Sequence, residues 1–132
     1  MDVADACRER GVKSVAVTAG YMRASRGASS TRKMDAANVD LKAFTESFYR
    51  RGLRRASSQP VLETLVYLKH ETQVWFEITT LLIPGQNDSQ AEIDAMSQWI
   101  DGRARSGRAA ALHRVPSRLE DDRLAAHAAR RR

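Results

Sequence analysis

Val74–Asp88, VWFEITTLLIPGQND, is the stretch whose reading decides the fold. It opens with Val74, Trp75, Phe76, Ile78, Thr79 and Thr80 and continues through Leu81, Leu82 and Ile83. A run this apolar, rich in β-branched and aromatic residues and without alternation, suits a strand buried on both faces. Pro84-Gly85 ends it, because proline cannot donate to a central ladder and the pair marks a turn. Asn87, Asp88 and Ser89 follow, with Glu92 three residues beyond Ser89, the signature of a capped helix start. Strand, tight polar turn and helix form the half-unit of a parallel α/β sheet, and such sheets bind ligands outside the carboxyl ends of their strands. Glu77 is the one charge within the run. An unpaired carboxylate is costly to bury, so Glu77 has a partner, lies near the sheet edge or serves a site.

Outward from this stretch, Lys13–Thr18 (KSVAVT) reads as a short strand with Val15 and Val17 on one face, ending in a turn at Ala19-Gly20-Tyr21. Ala37–Ala43 (ANVDLKA) reads as a second strand, with Asp40 and Lys42 alternating with Val39 and Leu41 near its carboxyl end. Pro60 at a first helical position opens a helix over PVLETLVYLKHET, whose Val61, Leu62, Leu65, Val66 and Leu68 form a broad apolar face. Ser89–Ile100 predicts a helix with Ile93, Met96, Trp99 and Ile100 on one side. Shorter helices are expected after a cap at Asp2 and after Thr45. Met22–Lys33 and Arg50–Ser58 lack an apolar stripe and read as irregular. The order predicts three parallel strands within residues 1–100, an α/β slice of a larger sheet or barrel with both edges bare.

At 132 residues the chain is at most one small domain. Its net charge of +6 comes almost wholly from arginine, 18 Arg against four Lys, and nine of the Arg lie in residues 101–132 beside four acids. That tail is rich in Ala and Arg and nearly free of large apolar residues, so it reads as a basic, irregular segment without a strand. Arg130-Arg131-Arg132 offers charge for phosphates, but no aromatic platform accompanies it, so nucleic acid is not expected as a partner. No run of roughly 18 apolar residues exists to span a membrane, and MDVADACRER lacks the apolar core of a signal peptide; the expected setting is cytoplasmic. The single Cys7 excludes an internal disulfide and a multi-cysteine metal site within this chain.

Asp40 and Lys42 share a strand face and suit a zwitterionic ligand, Lys42 taking a carboxylate and Asp40 an amine or hydroxyl. The plainer reading is an exposed ion pair at a strand end. Glu77 and Thr79 share the same geometry on the neighbouring strand, with Glu77 paired to Lys42 as the plain alternative. Thr18-Ala19-Gly20 adds a polar turn to the same rim, where α/β folds keep ligands. His70, His113 and His127 show no ligand spacing and read as surface residues.

VAVTAGYM, MDAANVDLKAF and QPVLETLVYLKHETQVWFEITTLLIPGQND together resemble radical SAM enzymes of the activating-enzyme type. Within that family they are similar to the radical SAM members of the AmmeMemoRadiSam system, relatives of pyruvate formate-lyase activating enzyme. The resemblance covers Asp2–Met22 and Met34–Ile100. It implies a partial (β/α)6 barrel that binds S-adenosylmethionine and a 4Fe-4S cluster, and that cleaves the cofactor reductively to a 5′-deoxyadenosyl radical. It also implies an electron donor and a substrate for the radical, whose identity it does not give. Matched by position, the cofactor-binding residues it implies are Thr18, Gly20, Asp40, Lys42, Glu77, Thr79, Pro84 and Gly85. Ala19 replaces the usual Asn of the first turn, and Thr79 stands where many relatives carry Arg.

The family's CxxxCxxC loop has no counterpart here, so the cluster is not expected on this chain alone, which reads as an internal fragment inactive by itself. Past Asp101 the sequence departs from the family, and its Ala, Arg, Ser and Gly excess suggests a frameshifted reading. The alternative class is a non-catalytic basic binding module or an inert truncation product. Bare sheet edges imply self-association.

Overall fold

The computed structural model describes residues 3–22, 31–52, 56–104 and 110–114. Helix α1 (Val3–Glu9) leads into β1 (Val15–Thr18); β2 (Ala36–Asp40) is followed by α2 (Glu46–Gly52) and α3 (Gln59–Glu71). Strand β3 (Trp75–Leu82), α4 (Gln90–Trp99), a π-helical turn (Ile100–Ala104) and β4 (Ala110–Arg114) complete the order. The four strands form one parallel sheet in the order β1-β2-β3-β4. The three expected strands lie side by side in chain order. The fourth, Ala110–Arg114, falls in the tail where no strand was expected, and its backbone continues the ladder from Ile78↔Ala110 to Leu82↔Arg114. A short Ala-rich segment carries little strand propensity, so its pairing is set by the free edge of β3.

Each new strand adds to the same side of the sheet, without the reversal that gives doubly wound folds their switch point. The helices cover one face. Val61, Leu65 and Leu68 from α3 and Met96 from α4 pack with Ala37, Val39, Leu41, Phe76 and Ile78 into the core, all at most 3% exposed. Fully burying a side chain of this kind contributes about 1.5–3 kcal/mol. Sequential order with helices on a single face is how a β/α barrel is wound.

The other face is open among the described residues. Strand β3 was expected to be buried on both sides, but its exposure alternates: Phe76, Ile78, Thr80 and Leu82 are buried, while Trp75 and Leu81 are 47% and 52% exposed. Val15 and Val17 of β1 look out on this same face, at 61% and 80% exposure. The apolar run of β3 therefore serves a two-sided strand of which one side lacks a cover here. No helix among the described residues is long and apolar enough to cross a membrane.

Three local readings hold in the structure. Pro60 lies in the first turn of α3, Ser89 caps α4 by accepting from the Glu92 N–H at 3.3 Å, and Gly85 takes a positive φ of 71° in the turn after β3. The proposed cap at Asp2 and most of the Met22–Lys33 stretch lie outside the described residues, as do His127 and Arg130–Arg132.

Candidate functional site

Parallel register puts Asn38 opposite Glu77 and Asp40 opposite Thr79. Alternation then sends Ala37, Val39 and Leu41 into the core and Asn38, Asp40 and Lys42 to the open face. The side chains form two groups. Asn38 Nδ2 donates to Glu77 Oε1 at 2.5 Å and to Thr79 Oγ1 at 2.8 Å. Lys42 Nζ pairs with Asp40 Oδ2 at 2.7 Å, each side chain a little over one third exposed. The partner of Glu77 is thus Asn38, not Lys42 as the plain alternative had it, because Lys42 folds back to the carboxylate two residues before it. Asn38 was not singled out in the sequence, although the same period-two alternation that marks Asp40 and Lys42 reaches it.

The backbone carrying this row is held from behind by buried polar groups. Thr80 Oγ1 donates to the Leu41 carbonyl at 2.7 Å, and the Lys42 N–H donates to the Tyr49 hydroxyl at 3.2 Å. Asn87, 1% exposed, donates through Nδ2 to the carbonyls of Lys42 (2.7 Å) and Leu81 (3.0 Å) and accepts from the Ile83 N–H at 2.6 Å. Glu92, 7% exposed, accepts at one oxygen from the N–H groups of Phe44 (2.7 Å) and Thr45 (2.9 Å). The capping box read from Ser89 and Glu92 is therefore only half formed within α4. Glu92 spends its carboxylate on the loop after β2 instead. Burial pushes the Tyr49 hydroxyl up to about 12, so it remains protonated.

The remaining sequence candidates shape the rim from the helix side. Thr18 Oγ1 accepts from the Gly20 N–H at 3.1 Å, and the Gly20 carbonyl accepts from Thr64 Oγ1 at 2.6 Å. Gly20 has φ 75°, and a Cβ there would lie 2.8 Å from Val61 Cγ1 and 3.0 Å from Val39 Cγ1. Pro84 and Gly85 form the turn after β3, where Asp88 Oδ1 accepts from the Gly85 N–H at 2.8 Å. The structure thus brings Asp40, Lys42, Glu77 and Thr79 together with Asn38 on the open face. It sets Thr18, Gly20, Pro84 and Gly85 in the turns bordering them. At the amino ends of the strands, Asp35 ties β1 to β2 through Lys13 Nζ (2.8 Å) and the Ser14 N–H (2.9 Å), contacts that lower its carboxyl to about 2.

A cleft of about 490 Å³ lies elsewhere, between α3 and the end of α4, lined among others by Leu62, Tyr67, His70, Trp99 and Arg103. It belongs to the helix layer, and no residue of the polar row lines it. Among the described residues no three His, Cys, Asp or Glu side chains are grouped to hold a metal ion, and Cys7 lies in α1.

No family model matches the chain, and no curated protein matches it. Among solved structures it is similar to TYW1, a radical SAM enzyme, in the structure of TYW1 with a lysine-pyruvate adduct bound. The TM-score is 0.57 at 22% identity, over 75% of this chain and 32% of that one. The chain therefore spans about a third of the length of TYW1 and shares the fold of that part.

Proposed function

We propose that the open face of the sheet is the S-adenosylmethionine-binding wall of a radical SAM fold of the activating-enzyme type. The observation that carries this reading is the row of Asn38, Asp40, Lys42, Glu77 and Thr79 on the open face, which runs from the middle of β3 to the carboxyl end of β2. In sequentially wound α/β folds that end of the sheet is where ligands sit. The likeness to TYW1 supports the fold to which such a site belongs.

The residues present fit the amino-acid end of the cofactor. Lys42 supplies an ammonium for its carboxylate, and Asp40 is left to accept from its amine. Thr79 and Glu77 retain hydrogen-bonding capacity for hydroxyls beyond their contacts to Asn38. The residues present do not fit a 4Fe-4S cluster, which is held by three or four cysteine thiolates, whereas the sequence holds only Cys7. Reductive cleavage is therefore assigned to an assembly in which the cluster ligands come from outside these 132 residues, together with an electron donor and the radical's substrate.

Equilibrium dialysis of the full chain against labelled S-adenosylmethionine tests the reading. Saturable one-site binding is expected, weakened roughly tenfold or more by Asp40→Ala and by Lys42→Ala, since each removes a charge-assisted hydrogen bond. Absence of saturable binding, or binding unaffected by both substitutions, refutes it.

A further inference from the structure

The charges on the open face do not balance. Lys42 and Asp40 neutralise each other at 2.7 Å, while Glu77 meets only the neutral amide of Asn38. No lysine or arginine of the described residues pairs with Glu77, so the row carries one net negative charge on a chain of net charge +6. Glu77 stands one row back from Asp40, about 6.6 Å along the strand direction. Next to it on the same strand face is Trp75, 47% exposed, an aromatic surface that also favours a cation. Thr79 Oγ1 accepts from Asn38, which leaves its proton to donate.

We infer that Glu77 is the specificity-determining residue of this face, selecting a ligand with a fixed positive charge beyond its zwitterionic end. The inference rests on the reading of the face as an S-adenosylmethionine site and deepens it. When Lys42 and Asp40 engage the carboxylate and ammonium of the amino-acid moiety, that moiety is neutral overall. The charge left to meet Glu77 is the sulfonium. S-adenosylhomocysteine has the same two ends with a neutral thioether between them, so it loses that attraction and little else. Coulomb attraction near contact distance in a solvent-open site is worth roughly a five- to tenfold difference in affinity. Glu77→Gln keeps the shape and the oxygen that accepts from Asn38, and removes the charge while turning the other oxygen into a neutral NH2 that both ligands meet alike.

The experiment compares dissociation constants for S-adenosylmethionine and S-adenosylhomocysteine by equilibrium dialysis, with parent and Glu77→Gln chains whose circular dichroism agrees. The parent is expected to prefer the sulfonium roughly five- to tenfold. Glu77→Gln is expected to bind the two ligands equally, whatever it does to their shared affinity. A measurement on the parent alone adds a second check: its preference falls towards unity near 1 M salt, where the Debye length is about 3 Å. Equal affinities in the parent, or a preference that survives Glu77→Gln or high salt, overturn the inference and leave the site reading standing. If the parent binds neither ligand, both fall.

Discussion

Gly20→Ala tests how the rim is built, because two separate costs meet at this residue. The first is backbone: φ is 75°, in the left-handed region, where a Cβ costs roughly 1–2 kcal/mol. The second is packing: the new methyl would lie 2.8 Å from Val61 Cγ1 and 3.0 Å from Val39 Cγ1, inside the core. Overpacking of this kind costs about 1–3 kcal/mol. The turn cannot relax outward freely, since Thr64 and Thr18 hold the carbonyl and N–H of Gly20. The expected total is about 2–5 kcal/mol. With a urea slope of about 1.5 kcal/mol/M, a 3 kcal/mol loss lowers the midpoint by about 2 M. The two costs separate in a double-mutant cycle with Val61→Ala, which removes the nearer methyl. In that background Gly20→Ala should cost about 1–2 kcal/mol less than in the parent. Additivity within about 0.5 kcal/mol would refute the steric account and leave only the backbone term.

Asn87→Ala should destabilise by about 2–4 kcal/mol in urea unfolding, because it leaves the Lys42 and Leu81 carbonyls and the Ile83 N–H without their buried partner. Glu92→Ala should speed hydrogen exchange at the Phe44 and Thr45 amides, while Glu92→Gln, which keeps an accepting oxygen, should largely preserve their protection. Asp35 has its folded pKa lowered to about 2 by Lys13 and the Ser14 N–H, so its stabilisation is present above the unfolded value near 4 and is lost as pH falls towards 2. Asp35→Asn should flatten that part of the acid-unfolding curve. Tyr49 has its folded pKa raised to about 12 by burial, so stability should fall as pH rises from about 10 towards 12. Absorbance titration should show one tyrosine ionising only in that range or on unfolding.

The elements that close on themselves were legible in the sequence. Pro60 opening α3, Ser89 capping α4 and the Pro84-Gly85 turn are local signals, and the structure keeps all three. What depended on the rest of the sheet was not legible. The apolar content of β3 does not say whether both its faces are covered, so Trp75 and Leu81 were expected inside and lie on the open face. Strand β4 has too little β-propensity to announce itself, and pairs because β3 offers an edge. In the polar row, alternation placed Asp40 and Lys42 on one face. The choice of Lys42 between Asp40 and Glu77 turned on distances that spacing cannot give. Glu92 shows the limit of motif reading: its position fits a capping box, yet its carboxylate serves a loop 47 and 48 residues away.

Strand β2 explains why so much buried polar structure gathers behind the site. Its odd positions, Ala37, Val39 and Leu41, are core, and its even positions, Asn38, Asp40 and Lys42, are the polar row. A slip of one residue would exchange the two sets, driving two charges into the helix layer and three apolar side chains onto the open face. Hydrophobic pattern resists such a slip within the ladder, but the ladder ends at Asp40, before Lys42. Beyond it, Thr80 bonds to Leu41, Tyr49 and Asn87 to Lys42, and Glu92 to Phe44 and Thr45, fixing the chain where strand pairing stops. The ion pair of Asp40 and Lys42 is itself too exposed to contribute much stability. Buried groups that hold the backbone thus carry part-exposed charges that add little to the fold, an arrangement consistent with the ligand-binding wall proposed above.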